Sequence, residues 1–510
     1  MRLFLIATLL LGWPLAALAG NDVTVDYHSE LEPASDILIA DAVRTELALA
    51  RHVPAGHLKV NVENGIVTMT GQSPTLLGKE RALQVVKHLR GVRGVVDRIS
   101  VASSGIPDGH VRTAVEAALA VDPATEPLEI DVTVEEGAVT LTGTVDSQAE
   151  RAIASAVARS IVGVRAIDNR LDVSIPNRRA DSEIEADVTQ RLYWDVRIPH
   201  QLISVEVDGG VVYLEGAVGS LFERDMAIAR AHVAGARVVD ADELQIDGAA
   251  RGLRRISAIV PKDIDIERAL LDVFEADPRV APFDPEVVVE MGQVTLTGTV
   301  DNPKARKAAA QAARNTVGVV AVKNLIEVEP RSPLSDADLD RYVSIALDRD
   351  VFVTDQPIDV TVDDAVVTLD GTVDTFFERA HAEDVASRMV SVREVINELR
   401  VTYPVPLVSY AFFDWDPLLD HYAYDRTLVN RLPDETIRRN ILRELYWSPY
   451  VDSGEIIVFV KDGVATLRGI VPSSFAVRDA IQSAFAGGAI DVQESLRVED
   501  IATEPVAIAQ

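Results

Sequence analysis

Apolar and polar residues alternate in a short segment that recurs six times along the chain. The second copy, residues 130–143, reads IDVTVEEGAVTLTG, with an apolar residue at almost every second position on both sides of Glu136-Gly137. A period of two is typical of a strand with one buried face, and a glycine between two such runs is typical of a tight turn. The pattern therefore predicts a β-hairpin whose second strand ends in glycine.

The six hairpins are variants of one sequence. They lie at residues 58–71, 130–143, 203–216, 287–298, 358–371 and 456–469, and they end in Gly71, Gly143, Gly216, Gly298, Gly371 and Gly469. Repeats 72 to 98 residues apart indicate a tandem array of one small module. We expect the closing glycines to be structural, because the next helix is predicted to cross close to their backbone.

Helical periodicity flanks each hairpin. In the second copy, Val111, Val115 and Leu119 recur at helical spacing before the hairpin, residues 148–161 form a second amphipathic segment, and residues 167–173 form a third strand. The order αββαβ predicts an α+β fold, a three-stranded mixed sheet with two helices on one face and the second and third strands parallel. We predict that the second helices begin near equivalent arginines, namely Arg81, Arg151, Arg224, Arg306, Arg379 and Arg478.

We number the predicted modules 1 to 6 in chain order. They cover residues 36–102, 108–175, 181–247, 262–329, 335–402 and 434–499, with a basic linker at 248–261 and an aromatic linker at 403–433. A domain of roughly 65 residues is marginally stable alone. Contacts between neighbouring modules are therefore expected to stabilise the array.

The first residues have the features of a secretory signal peptide, predicted to span residues 1–19. Arg2 precedes an apolar stretch at residues 3–13, and Ala17-Leu18-Ala19 resembles a cleavage site. The alternative is an uncleaved anchor. We expect a periplasmic or secreted protein with no transmembrane helix in the mature chain. Because the chain has no cysteine, a lipid anchor on a lipobox cysteine and disulfide bonds are excluded.

The composition argues against several kinds of chemistry. A net charge of −31 argues against nucleic-acid binding, because phosphates are bound by clustered Lys and Arg. The nine histidines show no metal-ligand spacing, and no nucleophile or phosphate-loop motif is present. Asp414, Asp416 and Asp420 cluster without the glycine and final glutamate of a calcium loop. We predict no enzyme, no cofactor and no metal.

The repeated pattern resembles the BON domain family, named for bacterial osmotic-stress and nodulation proteins. The matching features are I-x-V-x-V, a glycine turn, V-x-L-x-G, a helix with an early arginine, G-V, and a last strand such as Asn169-Arg-Leu171-Asp-Val173. The resemblance implies a non-catalytic envelope protein, often linked to phospholipid binding or stress protection, and some members resemble periplasmic chaperones. This chain differs in its six copies, its lack of a lipid anchor and its acidity.

Three groups of residues are candidate contacts for lipid or a protein partner. The first two are Arg251, Arg254 and Arg255 in the basic linker and Phe412, Phe413 and Trp415 in the aromatic linker. Tyr193-Trp194 and Tyr446-Trp447, after the first helices of modules 3 and 6, form the third. The alternatives are arginines paired with acidic neighbours, an insertion packed on adjacent modules, and a core or rim role for the Tyr-Trp pairs.

Three functions are compatible with these features. The first is non-catalytic binding in the cell envelope, with a phospholipid surface or an envelope protein as partner. The second is a holdase-like chaperone for unfolded clients, and the third is a structural scaffold of an envelope assembly. Exposed aromatics on the first helices would favour lipid, a broad apolar groove would favour a chaperone, and exposed complementary edge strands would favour a scaffold.

Overall fold

The computed structural model describes residues 35–50, 53–125, 128–174, 179–247, 261–330, 334–374, 376–402, 432–448 and 450–498. The predicted signal segment and nearly all of the two linkers lie outside the described residues. The described residues contain six αββαβ modules in succession, each with its own hydrophobic core.

The helices alternate in role along the chain. The first helices of modules 1 to 6 are α1 (Asp36–Leu49), α3 (Asp108–Val121), α5 (Asp181–Trp194), α7 (Asp263–Ala276), α9 (Asp336–Arg349) and α11 (Asp434–Trp447). The second helices are α2 (Leu76–His88), α4 (Gln148–Arg159), α6 (Leu221–Ala231), α8 (Pro303–Arg314), α10 (Phe376–Ser387) and α12 (Ser474–Ala486).

Three strands follow the same order in every module. The first strands are β1 (Leu58–Glu63), β4 (Ile130–Glu135), β7 (Ile203–Asp208), β11 (Glu286–Glu290), β16 (Ile358–Asp363) and β20 (Ile456–Lys461). The second are β2 (Ile66–Ser73), β5 (Ala138–Val145), β8 (Val211–Val218), β12 and β13 (Gln293–Thr297 and Thr299–Val300), β17 (Val366–Val373) and β21 (Val464–Val471). The third are β3 (Gly94–Val101), β6 (Ala166–Val173), β9 and β10 (Val238–Asp240 and Leu244–Ile246), β14 and β15 (Ala321–Asn324 and Glu327–Val328), β18 and β19 (Glu394–Asn397 and Arg400–Val401) and β22 (Asp491–Val498).

The sheet topology confirms the α+β prediction. In module 2 the central strand β5 pairs antiparallel with β4 and parallel with β6, and the other modules repeat this arrangement. Both helices of module 2 pack on one face of the sheet, where Val115 of α3 and Ala154 of α4 join Leu141 in the core. The opposite face of each sheet is turned outward.

An aspartate at the start of each first helix fixes the hairpin turn. In module 2, the backbone N–H groups of Glu136 and Gly137 each donate to the Asp108 carboxylate at 2.9 Å. Equivalent bonds of 2.8–3.1 Å occur in all six modules, to Asp36, Asp108, Asp181, Asp263, Asp336 and Asp434. This contact satisfies two turn donors and holds the first helix against the hairpin.

Glycine is required at the closing positions for a different reason from the one expected. All six have φ between +114° and +151°, a region that side chains disfavour. A Cβ at Gly143 would lie 2.4 Å from the carbonyl oxygen of Glu129, just before the first strand, and at Gly216 it would lie 2.0 Å from that of Leu202. The expectation that the following helix excludes a side chain is therefore wrong, because the backbone preceding β4 or β7 excludes it.

The predicted arginine equivalence holds in four modules and is wrong in two. Arg151 of α4 donates to the Asn169 carbonyl at 2.8 Å, whereas in module 1 Lys79 fills this role by donating to the Ile99 carbonyl. In module 6 the equivalent position, eight residues after the closing glycine, is Val477. Arg81 and Arg478 lie further along their helices; Arg81 is buried and Arg478 contacts module 4.

The modules pack in nested pairs, with module 1 on 6, 2 on 5 and 3 on 4. In the 2·5 pair the contact is reciprocal, since the Val162 N–H donates to the Arg349 carbonyl and the Val390 N–H donates to the Val121 carbonyl. The same contact joins the other pairs, with carbonyl acceptors on Trp447 and Trp194, at the ends of α11 and α5. The 2·5 pair thus approximates a twofold axis.

The second helix of module 1 contacts those of modules 2 and 3 through equivalent helix positions. Lys87, twelve residues after its N-cap, pairs at 2.6 Å with Asp225, five residues after its own. Arg159 and Glu80 repeat this relation at 3.0 Å between modules 2 and 1.

A corresponding contact in the other half of the chain joins module 6 to module 4, where Arg478 donates to the Arg314 carbonyl at 3.1 Å. Contacts therefore connect modules within each half of the chain as well as across the nested pairs, and the six modules form one connected body.

Candidate functional site

Tyr446 and Trp447 lie between module 6 and module 1. Their side chains are 5% and 7% exposed and join the core of module 1. The guanidinium of Arg90 lies 4.9 Å from the centre of the Tyr446 ring, and the Arg90 N–H donates to the Trp447 carbonyl. Lipid contact by these two residues would require exposure. Their position supports the alternative role, in the core of a module interface.

Tyr193 and Trp194 occupy the equivalent place between modules 3 and 4. Trp194 is half-buried and packs against the core of module 4, and its carbonyl accepts the Val317 N–H at 3.0 Å. The Tyr193 ring meets Trp194 edge-on, with centres 4.9 Å apart. Both line a pocket of about 280 Å³ beside Lys262 at the start of module 4. Trp194 thus contacts the neighbouring module, as the core or rim alternative expects, and Tyr193 packs beside it.

The other two candidate groups cannot be placed. Arg251, Arg254 and Arg255 of the basic linker and Phe412, Phe413 and Trp415 of the aromatic linker lie outside the described residues. They stay predictions.

Two carboxylates face each other across the 1·6 interface. Glu46 of α1 and Glu444 of α11 occupy equivalent helix positions, which Ala118 and Ala346 fill in the 2·5 pair. Burial raises the pKa of Glu46 to about 8, with the Glu444 charge adding to the rise and Arg443 opposing it. Glu46 Oε1 is buried without a hydrogen-bond partner among the described residues.

This geometry predicts a pH dependence of stability. The pKa of Glu46 is higher in the folded than in the unfolded chain, so its stabilising contribution is complete below about pH 4.5 and is lost as pH rises towards 8. We expect Glu46→Gln to raise the free energy of unfolding at pH 8 by roughly 1–3 kcal/mol and by much less at pH 5.

Denaturant unfolding at the two pH values measures this difference. The control is Glu116→Gln, which removes an exposed carboxylate of α3 and should leave the pH profile unchanged. An equal effect of Glu46→Gln at pH 5 and pH 8 would contradict the assignment.

A cavity of about 690 Å³ lies among modules 1 to 5. Leu77, Ile153 and Phe222 contribute apolar wall from the second helices of modules 1, 2 and 3. Arg197 and Arg388 also reach the cavity. Its volume is in the range of small-molecule sites and is far smaller than an unfolded polypeptide requires.

The charged groups around this cavity form structural ion pairs. Burial tends to raise the pKa of Asp195, but Arg197 and Arg230, each at 2.7 Å, outweigh it and hold the pKa well below its usual range. Burial likewise opposes the charge of Asp384, and Arg388 and Lys304 outweigh it to lower that pKa. These carboxylates stay ionised and clamp neighbouring elements together.

The described part of the chain shows neither a metal-binding cluster nor a membrane-spanning helix. Within it, no group of three or more His, Asp or Glu side chains is arranged to hold a metal ion. Among the same residues, none of the helices combines the length and apolar character needed to cross a membrane.

The fold defines a tandem-repeat protein of αββαβ modules packed into one body. The chain belongs to the BON domain family, whose pattern matches residues 35–103, 107–174, 180–248, 262–330, 335–403 and 433–499. These six matches confirm the resemblance found in the sequence.

A curated relative is the osmotically-inducible protein Y of Escherichia coli (strain K12). It is 32% identical over 160 residues, which is 30% of this chain and 80% of the relative. Two solved structures of CdsD, a structural protein of the type III secretion system of Chlamydia trachomatis, match at 16% identity. They cover 43% and 42% of this chain and all of their own, with a TM-score of 0.12, too low to support a conclusion.

Proposed function

We propose that this chain is a non-catalytic protein of the cell envelope that binds an envelope surface, phospholipid or protein, as one body and acts in stress protection. The family and the similarity to an osmotically-inducible protein support the stress role. The nested pairing of modules supports the proposal that the chain binds its partner as one body. Because Trp194 and Trp447 are used between modules, the outer sheet faces are left as surfaces for a partner, and the linkers, which lie outside the described residues, stay candidates from the sequence.

The charged clusters support a non-catalytic role. His381 lies 2.9 Å from both carboxylate oxygens of Asp350, and both side chains are buried. Asp195 and Asp384 are each held by two cations. Each of these buried carboxylates already has a partner, and removing the partners of Asp195 or Asp384 would leave a buried charge unpaired, which is the behaviour of structural groups.

The proposed location is the periplasm or the exterior of the cell. The signal-like residues 1–19 support it. The cavity among modules 1 to 5 does not favour the holdase alternative, because it is compact and its rim is rich in ion pairs.

Co-sedimentation of the secreted protein with vesicles tests the lipid partner. We expect binding to anionic vesicles that weakens with added salt. Replacing Arg251, Arg254 and Arg255 by Gln should reduce it by about 1 kcal/mol per charge, whereas replacing Phe412, Phe413 and Trp415 by Ala should reduce binding to anionic and zwitterionic vesicles alike.

The lipid partner is rejected if the wild-type protein stays in the supernatant at low salt with every lipid tested. Pull-down from envelope fractions then tests a protein partner. Suppression of client aggregation, followed by light scattering, would instead favour the chaperone.

A further inference from the structure

The outer sheet face of module 6 differs from that of every other module. Three side chains of each first strand point outward, and in modules 1 to 5 at least one of them is a carboxylate: Glu63; Asp131 and Glu135; Glu206 and Asp208; Glu286 and Glu290; Asp359 and Asp363. In module 6 the same positions of β20 hold Ile457, Phe459 and Lys461. Compared with modules 1 to 5, the first strand of module 6 therefore carries large apolar side chains and a cation in place of acidic residues.

The other two strands of module 6 also carry cations on this face. Arg468 of β21 lies directly opposite Ile457, and Arg497 of β22 lies beside Ile470. At the position of Arg468, modules 1 to 5 carry Thr70, Thr142, Glu215, Thr297 and Asp370. Cations thus occur on all three strands of this sheet.

The apolar members of this face are open to solvent. Ile457 and Phe459 are each 57% exposed, and Ile470 is 51% exposed. Lys461, Arg468 and Arg497 are exposed and form no ion pair with another described residue. Exposed carboxylates flank the sheet rather than replace these side chains: Glu455 precedes β20, Asp462 lies at the hairpin turn, and Glu494 lies on β22. We call these six residues the module 6 patch.

We propose that the module 6 patch docks the protein on an anionic phospholipid bilayer. Phe459, Ile457 and Ile470 enter the interfacial layer, and Lys461, Arg468 and Arg497 contact headgroup phosphates. This inference rests on the proposed function and names the partner and the surface. Clustered cations around apolar side chains are what an anionic headgroup surface attracts.

Charge complementarity favours an anionic bilayer as the partner of the module 6 patch. The chain carries −31 overall, so most of its surface repels an anionic bilayer, whereas the patch carries three positive charges. Repulsion elsewhere and attraction here fix one orientation, with module 6 towards the lipid. A three-stranded sheet face is broad and shallow, which suits a surface better than a small molecule.

A strand exchange within the chain provides the test. Ile457→Asp, Phe459→Thr and Lys461→Glu together give β20 the outward residues of β4, which the fold already accepts in module 2. The matched control, Lys59→Glu with Asn61→Asp, makes the same change of three charge units on the outer face of module 1. Both variants are compared with the wild-type protein by thermal unfolding and by co-sedimentation with anionic vesicles over a salt series.

We expect the exchange to weaken vesicle binding at least tenfold, since each cation contributes about fivefold and the aromatic ring adds to this. The control should bind within about twofold of wild type. Both should unfold at the wild-type temperature.

Two results would overturn the proposal while leaving lipid binding itself intact. The exchange variant could bind like wild type, or the control could lose as much as the exchange, in which case net charge alone governs binding. Sedimentation velocity without lipid supplies a third: self-association that the exchange abolishes would assign the patch to a second copy. Wild-type protein that binds no vesicle would instead reject the lipid partner in the proposed function.

Discussion

Gly143→Val is expected to destabilise module 2 by several kcal/mol. The added Cβ would lie 2.4 Å from the Glu129 carbonyl oxygen, and φ at this position is +137°, so both space and backbone conformation oppose a branched side chain. A loss of this size belongs to the large-effect class of overpacking and strain. Because a module of roughly 65 residues is marginal alone, we expect module 2 to open locally.

Hydrogen exchange across β4, β5 and β6 in the full-length protein measures this opening, alongside denaturant unfolding. Gly109→Ala is the matched control in the same module. It lies in α3 with open space around its would-be Cβ, so alanine should stabilise by about 0.5–1 kcal/mol. Unchanged protection of module 2 in Gly143→Val would show that the close approach of the Glu129 carbonyl does not determine the stability of this module.

Trp447→Ala should separate modules 1 and 6. The indole is 7% exposed and fills space within the core of module 1, so its removal leaves a cavity costing about 3–5 kcal/mol. We expect faster hydrogen exchange in α1 and α11, with the 2·5 pair keeping its protection. Equal loosening of all six modules would indicate that the body unfolds as one cooperative unit instead.

Phe459→Ala is the control for this substitution. Phe459 is also aromatic and in module 6, but it is 57% exposed, so its removal should change the free energy of unfolding by no more than about 0.5 kcal/mol. The two variants separate interface packing from surface contact. If Phe459→Ala were as destabilising as Trp447→Ala, the outer face of module 6 would be part of its core.

The module fold was predictable because its signals are local. A period of two, a glycine turn and a helix between the second and third strands determine pairing and direction in each module. The Asp108 contact with the hairpin turn was also accessible, since every module has an aspartate 28 residues before its turn. It was missed because aspartate at a helix start already has an ordinary explanation.

The pairing of modules was not predictable from these signals. Val162 and Val390 make their contacts through backbone groups, which leave no mark in the sequence. The Tyr-Trp pairs stood out as aromatic, but an aromatic ring suits a protein interface and a membrane surface equally. The assignment of Arg81 and Arg478 was wrong for a related reason, because the modules were matched by residue type. Matching them by distance from the closing glycine would have identified Lys79 and Val477.

Nested pairing implies an order in which the module interfaces can form as the chain is synthesised. Modules 3 and 4 are neighbours in the chain and meet across the shortest loop, 2 and 5 meet across a longer one, and 1 and 6 across the longest, as base pairs do in an RNA stem. A chain made from its N-terminus exposes the pairing surface of module 1 first and covers it last. Until module 6 with Trp447 has been synthesised, the interface side of α1 lacks its partner. Module 1, the first to be made, therefore completes its packing only when module 6, the last, is present.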